Sequence, residues 1–96
     1  MTAADFETQL NAGELIRSMH EIDGRLRLAT LLIRIVRDDV EDADIPEFLR
    51  SAGTALANPF TQEPMSWDRT ERRIHFGDSR YPGEVSGEFR VPSGGD

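Results

Sequence analysis

Leu15, Met19, Ile22, Leu26, Ala29, Ile33, Val36 and Val40 recur at spacings of 4, 3, 4, 3, 4, 3 and 4, which is the period of one apolar stripe along an α-helix. The spacing predicts a long helix over residues 14–38. Asn11 followed by Glu14 has the form of a capping box for its start. Glu21 with Arg25 and Asp23 with Arg27 are acid-before-base pairs four residues apart, each adding a few tenths of a kcal/mol, against which Gly24 costs about 1 kcal/mol. From Leu28 to Val36 seven of nine residues are apolar, so this half is expected to be covered on more than one side and to hold the core. The first half carries only the seam Leu15, Met19, Ile22 and Leu26.

The run RDDVEDAD, Arg37–Asp44, puts acids where a helix end favours cations, which predicts fraying near Asp38. Asp44 with Glu47 forms a second capping-box pattern, and Pro46 is compatible with a first turn. A short helix is therefore expected over 45–51, with Ile45, Phe48 and Leu49 inward and Gly53 ending it. The stretch NPFTQEPMSWD, residues 58–68, then carries the chain across to a sheet on two stiffening prolines. Beyond it the alternation of Met65 with Trp67, of Ile74 with Phe76, and of Val85, Gly87, Phe89 and Val91 reads as three strands, each apolar on one face. The sheet is expected within 65–91. The pattern thus gives one α+β domain over 1–92, a long N-terminal helix packed on a small three-stranded antiparallel sheet with one or two short helices. Residues 1–13 are expected as a short helix or flexible arm, and 93–96 as a disordered tail.

Composition narrows the function classes. The 96 residues carry a formal charge of −7, and all eleven basic residues are scattered arginines. No nucleic-acid partner is expected, because phosphate binding relies on clustered cations. The absence of cysteine removes disulfides, thiolate chemistry and Cys-based metal sites. The N-terminus lacks the basic and apolar regions of a secretory signal, and the nine-residue apolar-rich run is well short of the roughly 20 residues that span a bilayer. No membrane contact by this chain itself is expected.

Few residues offer chemistry. Asp38, Asp39, Glu41, Asp42, Asp44 and Glu47 supply oxygen ligands in principle, but without the alternating Asp/Asn pattern and central glycine of a calcium loop they read as a solvated face. His20 and His75 lie in different elements with no nucleophile or metal-binding spacing around them, and both are read as surface residues. Arg69, Arg72 and Arg73 could clamp an anion, although Asp68 and Glu71 lie among them. Phe60, Met65 and Trp67 could line a pocket, but a sheet this small needs Trp67 in its core. No catalytic residue, metal ligand or cofactor is expected from these patterns. The feature that remains is the seam Leu15, Met19, Ile22 and Leu26, covered either by the segment around Phe6 and Leu10 or by another chain, since a seven-residue period suits helix pairing.

The order of elements, together with the crossing Asn58, Pro59, Phe60, Thr61, Gln62, Glu63, Pro64, Met65, Ser66, Trp67, resembles the soluble half of type II secretion pseudopilins and related pilin-like proteins. Their pattern is (D/N)-P-F-(T/S)-G-x-P-(L/M)-x-(Y/W), and the match runs from about Leu26 to Phe76. Gln62 stands where the pattern has glycine. The hydrophobic segment and prepilin-peptidase site that precede such domains are not in this sequence, and their acidic calcium loop is not recognisable near the C-terminus, so no metal ligand carries over. The resemblance implies a non-enzymatic domain that works by packing, in the periplasm or cell envelope if it belongs to a longer anchored protein. Without the resemblance a cytoplasmic protein is expected. The competing reading is a small-ligand-binding domain or enzyme using His75, Trp67 and the arginine turn.

Overall fold

The computed structural model describes residues 12–78, 80, 81 and 84–92. Asn11, the segment around Phe6 and Leu10, and residues 93–96 lie outside the described residues. Helix α1 spans Ala12–Arg37, helix α2 spans Ile45–Ser51, and strands β1 (Ser66–Asp68), β2 (Arg73–Phe76) and β3 (Gly87–Arg90) form an antiparallel sheet in the order β1-β2-β3. The fold is α+β, with short 3-10 turns at Asp42–Asp44 and Thr54–Leu56.

The register sets Trp67 opposite Ile74, Ile74 opposite Phe89, and Phe76 opposite Gly87. One sheet face therefore carries Trp67, Ile74, Phe76 and Phe89, since side chains alternate along each strand. This face meets Leu28, Leu31 and Ile35 of α1 and Ile45 and Leu49 of α2 in one cluster with Met65 and Val91. Phe48 and Trp67 are partly buried against it. Val85 is not part of the third strand as its alternation suggested. It lies before β3 and is 47% exposed.

The helix turns a different face to the sheet from the one its longest apolar stripe marks. Its buried residues are Gly24, Leu28, Leu31 and Ile35, a second series at spacings of 4, 3 and 4. With 3.6 residues per turn this series lies roughly 160° around the helix from the seam. Residues 28–36 are accordingly not covered on more than one side, because Ile33 and Val36 remain exposed. The second stripe wins because Gly24 lets the sheet approach. A Cβ there would lie 2.5 Å from Phe76 Cε2 and 2.7 Å from Cε1. Gly87 does the same from the other side, where a Cβ would lie 2.7 Å from Phe76 Cε1. The Phe76 ring, 1% exposed, occupies the space that two missing side chains leave, and Phe60 stacks on it at 6.3 Å between centroids.

Helix α1 ends at Arg37, beside Asp38, in a hydrogen-bonded turn. Val40 N–H donates to the Ile35 carbonyl at 3.0 Å and Asp39 N–H to that of Val36 at 3.3 Å, with Asp39 left-handed at φ 50. This is a Schellman ending with Asp39 where glycine is usual. The predicted capping box at α2 is not formed. Asp44 is itself helical at φ −96, ψ −9 and makes no side-chain cap bond, while Glu47 pairs with Arg50 at 2.7 Å. Nor do Glu21 and Arg25 pair as expected. Arg17 takes Glu21 at 3.3 Å, and Arg25 Nη2 reaches across to donate to the Ser86 carbonyl. Asp23 and Arg27 do pair, at 2.9 Å, and Arg27 also donates to the carbonyls of Thr54 and Ala57, tying α1 to the loop before the crossing.

The crossing is organised by Asn58, which is buried. Its Nδ2 donates to the Gly77 carbonyl at 2.9 Å and its Oδ1 accepts from Phe60 N–H at 2.9 Å. Its own N–H donates to the Glu63 carbonyl at 2.8 Å, and its carbonyl accepts from Gln62 N–H at 2.7 Å. Gln62 adopts φ 62, the left-handed region that favours glycine.

Candidate functional site

The seam residues Leu15, Met19, Ile22 and Leu26 stand on the side of α1 away from the sheet, at 47, 60, 62 and 64% exposure. Ile33 and Val36 extend the same line at 65 and 56%, and Ile16 flanks it at 52%. The exposed stripe thus runs the whole of α1, a helix about 39 Å long at 1.5 Å per residue. The two-heptad seam expected from the first half is part of a three-heptad one. Isolated exposed apolar side chains are ordinary, whereas Leu15, Met19, Ile22, Leu26, Ile33 and Val36 all stand exposed on one face of a single helix.

The residues of the competing reading are not brought together. Trp67 lies on the inner sheet face, whereas His75 lies between Ile74 and Phe76 on the outer one, opposite Ser66 and Glu88. Arg72 is committed to Asp42 through two hydrogen bonds of 2.8 Å, and Arg73 to Glu88 at 2.9 Å. A hollow of about 230 Å³ touches His75 along with Ser66, Tyr81 and Val85, below the ~300 Å³ at which small-molecule pockets begin. His20 is half-buried rather than on the open surface, edge-on to Phe60 with centroids 5.3 Å apart. The Pro-rich crossing that carries Phe60 back against α1 brings the two rings together.

The acidic run is likewise dispersed among arginines. Asp38 bonds Arg37, Asp42 bonds Arg72 and Glu47 bonds Arg50, and each of these hydrogen bonds holds its carboxyl below the usual range. Among the described residues no group of three or more His, Asp or Glu side chains is placed to hold a metal ion, and no helix is long and apolar enough to cross a membrane.

A polar cluster missing from the sequence reading joins the first half of α1 to the loop before β3. Asp78 is 3% exposed and accepts from Arg80 Nη2 at 2.8 Å and Arg80 N–H at 3.0 Å, with Arg17 Nε 3.5 Å away. The Arg80 guanidinium, its backbone N–H and then the Arg17 charge outweigh burial and hold the Asp78 carboxyl below its ordinary value. Arg17 in turn lies 4.7 Å over the Tyr81 ring. Nothing in the spacing of Arg17, Asp78 and Arg80 announces this contact, which depends on the chain's return from β2. The cluster links the first half of α1 to the loop before β3, although Arg17 Nε is buried without a hydrogen-bond partner.

No protein-family model, no curated protein and no solved structure matches this chain.

Proposed function

We propose that the chain is a non-enzymatic structural or assembly module that docks onto another helix through Leu15, Met19, Ile22 and Leu26. The observation that carries this reading is their exposure in an unbroken row on a helix whose other face is anchored in the core. Pairing two such rows buries apolar surface without a conformational change, and a seven-residue period keeps the row facing a partner helix.

The likeness to a pseudopilin soluble domain belongs to the same proposal. It is supported by the crossing, where Gln62 at φ 62 takes the left-handed conformation natural to the glycine of that pattern. A domain of this kind contributes to a larger assembly by packing.

The test is Ile22→Glu. A charge placed at a position 62% exposed is expected to change the stability of the isolated domain by less than about 0.5 kcal/mol, with urea unfolding as the measure, while removing partner binding or self-association. Unfolding of the monomer by Ile22→Glu would show the row to be internal and end the docking reading.

A further inference from the structure

We infer that the partner of the α1 row is a second copy of this chain, paired antiparallel along the full helix. This rests on the docking reading and adds the identity of the partner to it.

Area is the first argument. Seven exposed apolar residues on α1, each about half to two-thirds accessible, offer roughly 700 Å² per copy. Complete burial of both rows would remove up to about 1,400 Å², within the ~1,200–2,000 Å² of a stable specific interface. The five of these in the first half alone would fall short, so the partner must engage Ile33 and Val36 as well, and a helix of the same length and period does so.

Packing sets the direction. In the heptad frame Met19, Leu26 and Ile33 occupy one core position and Leu15, Ile22, Ala29 and Val36 the other. A parallel pair would stack Ala29 on Ala29 of the second copy and leave a gap in mid-helix. An antiparallel pair sets Leu26 against Ala29 of the second copy, Met19 against Val36 and Ile22 against Ile33, so a large side chain faces the small one at the centre. Facing large with small is how close-packed layers fill.

Charge does not oppose the pairing. The chain carries −7, but α1 has five arginines against three acids, so most of the repelling acids lie elsewhere. In the antiparallel register Asp23 flanks Thr30 of the second copy, Arg25 flanks Leu32, and Arg37 flanks Ile16. No like charges meet.

The experiment is sedimentation velocity on the whole chain at about 100 µM, followed by electron–electron distance measurement on Ser18→Cys carrying a nitroxide. The native chain has no cysteine to compete, and Ser18 is exposed. The expected result is a mass twice 10.8 kDa, with label separation near 30 Å from the ~1.5 Å rise per residue about the pair's centre. A parallel pair would give about 10 Å, the distance between packed helix axes, and would overturn the antiparallel assignment. A monomer throughout would overturn self-pairing. Where Ile22→Glu also stays folded, that monomer leaves docking to a different helix intact, whereas an unfolded Ile22→Glu removes both readings.

Discussion

Gly24 looks in the sequence like a weak point of the helix, and in the structure it is the reason the helix sits where it does. Alanine is worth about 1 kcal/mol more than glycine within a helix. Here, however, the added methyl would run into a ring that Gly87 and Phe60 hold from its other sides. Overpacking of this kind typically costs about 1–3 kcal/mol. Gly24→Ala is expected to destabilise the domain by up to about 2 kcal/mol net, read as a lower midpoint in urea. Gln62 is the opposite case, a side chain held in a backbone conformation that disfavours it. Relief of that strain should make Gln62→Gly more stable by about 0.5–1 kcal/mol, an increase in Tm of about 2–8 °C for a domain of this size.

At the scale of elements, the residue types that set strand and short-helix positions were legible. The alternation around Ile74 and Phe76 placed β2, and Ile45, Pro46 and Leu49 placed α2. The orientation of α1 was not, for a physical reason. Two apolar series, one through Ile22 and Leu26 and one through Leu28, Leu31 and Ile35, have the same period on opposite sides, so periodicity alone cannot say which one meets the sheet. The discriminating sign was Gly24, in line with the buried series and small enough for close approach. The candidate site was half legible on the same grounds. Its four named residues were visible, but Ile33 and Val36 were assigned to the core because the density of apolar residues there suggested cover on several sides. The charges around the helix end give its position but not its closure, which the left-handed Asp39 and the Val40 and Ile35 groups make.

Across the whole molecule, several contacts that supplement the apolar core titrate in acid. Asp78 joins the loop before β3 to α1, and its carboxyl is held low first by Arg80. Because the folded value lies below the ordinary 3.8, the contact contributes fully above that pH and is lost as pH falls through the folded value. Asp42 on Arg72 and Asp68 on the Glu71 amide shift in the same direction. Stability in urea is therefore expected to be level near neutrality and to decline below about pH 4. Asp78→Asn should be about 1–2 kcal/mol less stable at pH 7 and show a shallower decline in acid.

The sheet described above has its own bearing on how copies of the molecule meet. Its edge strands are β1, three residues long, and β3, four residues long, and their outward residues include Asp68, Glu88 and Arg90. An incoming extended segment would find only a few backbone groups to template on, beside side chains that keep their hydration. Fibril-like growth by strand addition is thereby blunted at both rims of the sheet. Ordered association of the folded chain is left to surfaces that meet side chain to side chain.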